Sequence, residues 1–341
     1  MSAVSQSISE KIEKALNLED VHEKKKILGE VLTLAIEMFE RNNITLIDNL
    51  EHSISARSVE RIDHYARKAL DSITKTKNNR INDLNLARWK DYNEILTDSL
   101  WLMDKRDRAK GHDASYWGNF VPQIPRQLML RYTRKGDWIL DPFMGSGTSA
   151  IEAYRMERNA IGIDLNPAIL SSAKSKIDAL REEDVHNVHT CFHNGDSSRI
   201  DYDEILKEEG CQEIKLAILH PPYHDIIKFS DIEGDLSICP DQETFLEKIG
   251  IIAEKCNKVM SQNGHLALVI GDKYENGRWI PLGFLSMNEI MKKGFYLKSI
   301  IVKNYEETKG KRGSQELWRY RALAGGYYLF KHEYIFLFTK K

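Results

Sequence analysis

Between Asp137 and Ala153 the chain passes from a short apolar strand, through a turn holding Gly145 and Gly147, into a helix. Strand, glycine turn and helix in that order open a doubly wound α/β sheet. The glycines let backbone approach a ligand where a Cβ would clash, and the helix start offers unpaired N–H groups. A lone Gly-x-Gly also serves turns that need only a positive φ, so Asp164 matters. It closes the next apolar strand, Ala160-Ile161-Gly162-Ile163-Asp164, nineteen positions beyond Gly145, where such folds place the carboxylate that binds ribose hydroxyls. Position 150 is alanine rather than the third glycine of the dinucleotide fingerprint, so a nicotinamide cofactor is only weakly supported.

A second segment, His220-Pro221-Pro222-Tyr223, follows the apolar strand Leu216 to Leu219 and also lies at the carboxyl end of a strand, where open α/β sheets bind ligands. Two prolines stiffen this loop, withhold two N–H donors and leave carbonyls as acceptors beside an aromatic ring. A rigid strand exit with a packed tyrosine gives the same pattern, so the segment gains weight only alongside the first.

Taken together, Asp141-Pro142-Phe143-Met144-Gly145-Ser146-Gly147-Thr148 and the downstream Pro-Pro-Tyr resemble the S-adenosylmethionine-dependent amino-methyltransferases that modify N6 of adenine or N4 of cytosine in DNA. The resemblance runs from about Gly111 to Lys341. Phe120-Val121-Pro122-Gln123-Ile124-Pro125-Arg126, placed where such enzymes carry an additional donor-binding segment, and the closing strand His332 to Phe338 also carry it. It implies a Rossmann-like seven-stranded methyltransferase sheet, S-adenosylmethionine as cofactor and double-stranded DNA as substrate. Asp141, Phe143, Gly145, Gly147 and Thr148 would bind the donor, Asp164 its ribose, and Asp196, beyond the strand Val188 to Phe192 and the Asn194-Gly195 turn, its adenine. His220, Pro221, Pro222 and Tyr223 would form the catalytic loop facing a base flipped out of the duplex.

The implied chemistry suits those residue types. An exocyclic amine is a poor nucleophile because its lone pair is delocalised into the ring, so acceptors on its N–H bonds help rehybridise it. The Pro221 carbonyl and residue 220 would be those acceptors, with Tyr223 stacking on the base. The family usually has Asp, Asn or Ser where this chain has His220. A neutral imidazole accepts through one nitrogen and an imidazolium through none, so the methylation rate is expected to fall through about pH 6.5. His220 leaves the base undecided; adenine is favoured on general prevalence in the family. C5-cytosine chemistry is not expected, because no Pro-Cys pair exists. RNA amine methylation and a noncatalytic binding subunit are the alternatives, and a restriction-modification system is the setting implied.

The donor segment precedes Pro-Pro-Tyr, and no large insertion follows the catalytic loop. Sequence readout therefore falls to an amino-terminal helical region, to a loop at 303–321, or to a partner, either a second copy or another subunit. With 49 basic against 51 acidic side chains, phosphate affinity has to come from local patches. The 303–321 loop has six basic side chains against three acidic ones, and Lys309, Lys311, Arg312, Trp318, Arg319 and Arg321 are its nucleic-acid-binding candidates. Lys24-Lys25-Lys26 and the 75–80 segment read first as solvated helix ends, with DNA contact as the alternative.

Residues 1–110 read as an all-helical region, with Leu28, Leu32, Ile36 and Phe39 at helical steps, and 111–341 as the catalytic domain. Arg106 to Gly118 reads as a linker. Beyond Pro-Pro-Tyr come a helix from Gln242 to Met260, a strand from His265 to Ile270, a helix near Phe284 to Lys293, and strands from Leu297 to Asn304 and Glu333 to Thr339. The segment between the last two shows no helical period for a crossover, so they are expected to pair antiparallel. Gly271-Asp272 reads equally as target-pocket lining or as a strand-ending turn. Cys191, Cys211, Cys239 and Cys256 show no Cys-x-x-Cys and no histidine spacing suited to zinc, so reduced thiols and no metal are expected. The first thirty residues lack an apolar core with a cleavage site, and the run Val31 to Phe39 is broken by Thr33 and Glu37; no membrane association and a cytoplasmic, or nuclear, location are the expectation.

Overall fold

The structure is a computed structural model that describes residues 3–39, 43–103, 105–107, 111–112, 118–304 and 315–341. The chain forms two compact units, Met1–Leu96 and Thr97–Lys341.

The first unit packs four helices, α1 (Ala3–Leu16), α2 (Val21–Phe39), α3 (Ile44–Ser55) and α4 (Val59–Thr74), around a core that includes Ile8, Leu28, Val31, Leu50 and Ile62. Lys24 and Lys25 are held by the unit itself rather than left as solvated helix ends. Lys24 is buried with its Nζ 2.5 Å from Asp63, and Lys25 donates to the Ala56 carbonyl. The all-helical reading of 1–110 extends too far, since the last α-helix of this unit ends at Thr74. Beyond it, asparagine side chains take backbone donors that a helix would use: Asn79 accepts from the N–H groups of Ile81 and Asn82, and Asn85 from those of Lys77 and Ala87.

The second unit is α/β. Its strands are β1 (Leu100–Trp101), β2 (Trp138–Asp141), β3 (Asn159–Asp164), β4 (Thr190–Asn194), β5 (Ile214–Leu219), β6 (Met260–Ile270), the small hairpin β7 (Lys273–Glu275) and β8 (Arg278–Ile280), β9 (Phe295–Asn304) and β10 (His332–Lys340). The helices are α5 (Gln123–Tyr132), α6 (Thr148–Arg155), α7 (Pro167–Glu183), α8 (Tyr202–Glu208), α9 (Gln242–Val259), α10 (Leu282–Met291) and α11 (Gln315–Gly325). One sheet runs β1-β9-β10-β6-β5-β2-β3-β4. The seven expected strands are present, with β10 antiparallel between β6 and β9.

The eighth strand was not expected. Leu100 and Trp101 pair parallel to Val302 and Lys303, and Trp101 is buried. The second compact unit thus begins at Thr97, ahead of the boundary at 111 read from the sequence. α11 also lies in a stretch with no helical signal. None of its described side chains is buried, so it has no apolar face to leave a 3.6-residue period.

Because β2 has β3 on one side and β5 on the other, the chain leaves their carboxyl ends in opposite directions and opens a crevice. The glycine turn and the Pro-Pro-Tyr loop leave those two adjacent ends. Close packing under the turn fixes its height: a Cβ on Gly162 would lie 2.0 Å from Cε and 2.9 Å from Cγ of buried Met144, whose N–H donates to the Ile163 carbonyl. Gly162→Ala is therefore expected to cost about 1–3 kcal/mol in urea denaturation, as overpacking does. A loss below about 0.5 kcal/mol, the range of unconstrained surface changes, would show that Met144 moves aside freely.

Candidate functional site

The crevice holds a cavity of about 1600 Å³. That exceeds the roughly 300–1,000 Å³ of a single small-molecule pocket, so there is room for two ligands side by side. Phe143, Gly145, Asp164 and Asp196 line one part, and His220, Pro221, Pro222 and Tyr223 another.

The first part is built by local hydrogen bonding. Gly145, at φ +50°, donates its N–H to Asp164 Oδ2 at 2.8 Å, and Asn166 donates to Oδ1 at 2.9 Å. Burial raises the Asp164 carboxyl above its ordinary range, partly offset by these N–H groups. Asp196 accepts from the Ser198 N–H and hydroxyl through Oδ1, while its buried Oδ2 accepts no hydrogen bond, although Arg199 Nε stands 3.5 Å away. Three expected donor-binding residues stand behind the wall instead. Asp141 is buried and its Oδ1 takes the Phe143 N–H at 2.9 Å, which shapes the turn; burial pushes its carboxyl up to about 7. Gly147, at φ +88°, starts α6, and a Cβ there would lie 3.0 Å from Ala173 of α7. Thr148 is buried as the first residue of that helix.

The second part is enclosed by aromatic rings. His220 packs on Phe120 at 4.7 Å between ring centroids and meets Tyr223 edge-on at 5.9 Å. Burial lowers His220 to about 4, the nearby Glu333 carboxylate opposing and Lys303 assisting. This corrects the pH 6.5 midpoint expected from an unperturbed imidazole: the ring is neutral throughout the physiological range. Tyr223 donates its hydroxyl to Glu333 Oε2 at 2.8 Å, and Lys303 pairs with Glu333 Oε1 at 3.1 Å. Lys303 and Glu333 are buried and face each other across β9 and β10. Gly271 gives the Tyr223 ring room, since a Cβ there would lie 3.0 Å from it. Asp272 serves the strand end, accepting from Trp279 Nε1 and the Gly283 N–H; neither residue lines the cavity. Beyond Tyr223, the buried Lys273 ammonium donates to His224 Nδ1 and Asp225, which fastens the loop to the β7–β8 hairpin.

The segment read as a linker belongs to the site. Arg106, Asp107 and His112 line the cavity, and His112 Nε2 lies 2.6 Å from Glu152 Oε1 inside α6. Arg126 of α5 binds Glu152 Oε2 through Nε at 2.7 Å and Asp107 through a terminal nitrogen at 2.8 Å. Burial by itself would raise the Glu152 carboxyl, but the His112 and Arg126 hydrogen bonds hold it below its ordinary range. Nothing in the local sequence marks Asp107 and His112, because their partners lie sixteen to forty residues on.

Of the phosphate-binding candidates, Lys309, Lys311 and Arg312 lie outside the described residues. Trp318, Arg319 and Arg321 are on α11, with the Arg321 guanidinium 5.1 Å from the Trp318 ring centre.

A family model described as DNA methylase, for N6 and N4 methyltransferases, matches residues 85–175 and 214–341. The chain belongs to that DNA methylase family. Among curated proteins it is similar to the Type II methyltransferase M.MjaII of Methanocaldococcus jannaschii, 40% identical over 68 residues, or 19% of this chain and 13% of that protein. It is also similar to the Type II methyltransferase M.BglI of Bacillus subtilis, 25% identical over 164 residues, or 47% of this chain and 44% of that protein. The chain thus spans less than half the length of these relatives. Among solved structures, a methyltransferase from Pyrococcus furiosus superposes with a TM-score of 0.42 at 14% identity, over 68% of this chain and 91% of that one. No helix among the described residues is long and apolar enough to cross a membrane.

Proposed function

We propose that this DNA methylase family member transfers a methyl group from S-adenosylmethionine to the exocyclic amine of a base in DNA. The single observation that carries the reading is the meeting of the glycine turn and the Pro-Pro-Tyr loop in one cavity large enough for a donor and a base.

The donor part fits a nucleoside with an amino-acid tail. Asp164 keeps lone pairs for ribose hydroxyls beyond the two N–H groups it accepts, and Asp196, at the cavity wall, is the carboxylate proposed to face the adenine. When bound, S-adenosylmethionine supplies an electrophilic methyl group. The protein's own contribution is on the amine side. No described residue hydrogen-bonds the His220 ring, so a neutral ring nitrogen is left to accept one N–H of the target amine, and the Pro221 carbonyl takes the other. The Glu333 anchor on the Tyr223 hydroxyl fixes that ring as a stacking face. Holding these groups in place before the amine arrives provides orientation and electrostatic stabilisation.

A base inside a duplex cannot reach this cavity, so the target is flipped out. Adenine is the favoured base, a restriction-modification system the favoured setting, and α11 with its stacked Trp318 and Arg321 the favoured DNA-contacting element. Incubation with tritiated S-adenosylmethionine and separate pools of unmethylated DNA and RNA tests the reading. Label is expected in DNA. Label in RNA alone would replace DNA with RNA as the substrate, and donor binding with no label in either pool would indicate a noncatalytic subunit.

A further inference from the structure

The outer edge of the sheet carries a group of side chains that the methyl-transfer reading does not use. β4 is the terminal strand, and alternation along an extended chain puts His189, Cys191 and His193 on one face. Glu209, directly after α8, meets them with both carboxylate oxygens: Oε2 is 2.6 Å from His189 Nε2 and Oε1 is 2.9 Å from His193 Nε2. The Cys191 thiol, an imidazole nitrogen of His189 and a Glu209 oxygen all lie within 4.8 Å of one another. None of the four residues lines the cavity.

We propose that His189, Cys191, His193 and Glu209 form a binding site for a zinc-like divalent cation. The geometry points to it because one thiolate, two imidazoles and one carboxylate are the borderline-soft donors that a tetrahedral zinc takes, at about 2.3 Å from sulfur and 2.0–2.2 Å from nitrogen and oxygen. Those bond lengths place ligand atoms roughly 3.3–3.8 Å apart; His189, Cys191 and Glu209 already lie within 4.8 Å of one another, and His193, held by the other Glu209 oxygen, would turn toward them to supply the fourth ligand. His189 is half-exposed and gives the ion a way in. On binding, the Cys191 thiol releases its proton to solvent and the imidazoles bind as neutral rings. Such an ion would tie the unpaired edge strand to the end of α8 and steady the turn that leads from β4 to Asp196. Zinc motifs are usually sought as paired cysteines in loops, whereas here alternate strand positions are completed by a residue sixteen positions past His193.

The test is titration of the metal-stripped full chain with cobalt(II) alone, followed by zinc. One equivalent per chain is expected, with the visible bands of a tetrahedral ion, an ultraviolet thiolate-to-cobalt band, and displacement of both by zinc. Cys191→Ser is expected to lose the thiolate band. His189→Gln, a change at a half-exposed position that leaves the fold intact by circular dichroism, is expected to weaken cobalt binding about tenfold or more. A chain with no tetrahedral spectrum, or variants indistinguishable from the parent, would overturn the proposal and leave Glu209 as a carboxylate hydrogen-bonded by two histidines.

Discussion

His220→Ala is expected to lower the single-turnover methylation rate by about 10²–10³-fold, the usual effect of removing one preorganised electrostatic contact, while S-adenosylmethionine affinity stays within about twofold. His220 lines the amine side of the cavity between Phe120 and Tyr223, and its neutral ring is an acceptor. His220→Asn, which offers an amide oxygen, is expected to recover most of that loss. An alanine variant with an unchanged rate would assign amine recognition to the Pro221 carbonyl alone. The pH dependence follows from the sign of the shift. Burial lowers His220 to about 4, so the accepting form persists as pH falls and disappears only near that value. The rate is therefore expected to be flat from about pH 8 to 5.5, in contrast to the fall through about 6.5 of an unperturbed histidine. A midpoint near 6.5 that is abolished in His220→Asn would contradict the burial argument.

The largest stability effect is expected at Glu152. Its carboxylate is buried in α6 and holds His112 at 2.6 Å and Arg126 at 2.7 Å. Glu152→Ala strips buried His112 of its carboxylate partner and leaves Arg126 with Asp107, and breaking such a buried pair costs about 3–5 kcal/mol. Donor affinity is expected to fall with it, because the same contacts hold Asp107, His112 and the start of α5 as cavity wall. Asp107→Ala, which removes the more accessible half of the network, is expected to cost about 1 kcal/mol or less. Chemical denaturation of the two variants checks both values; equal losses would mean that burial of Glu152 is not what gives the cluster its weight.

What could be read from the sequence, and what could not, follows how local each signal is. The glycine turn, the carboxylate ending the next strand and Pro-Pro-Tyr are each written within a few consecutive residues, and the fold brings Phe143, Gly145, Asp164, Asp196 and residues 220–223 into one cavity. Asp141, Gly147 and Thr148 belong to the same motif, yet they shape the turn from behind, a distinction that a string of letters does not contain. The Lys303–Glu333 pair that anchors Tyr223 depends on the register of β9 against β10. β1 is two residues long, too short to show alternation, and it joins the stretch after Thr97 to β9 together with Ser99 and Met103. The neutral state of His220 is a property of its enclosure, and the clustering of His189, Cys191 and Glu209 depends on where the chain returns after α8.

One cavity is proposed to join a methyl donor to a base amine. Nucleoside mass spectrometry of unmethylated genomic DNA, after incubation with the protein and S-adenosylmethionine, addresses this claim most directly. The expected product is N6-methyladenine, and N4-methylcytosine would keep the mechanism while changing the base. C5-methylcytosine, or no methylated nucleoside from a chain shown to bind the donor, would contradict the claim.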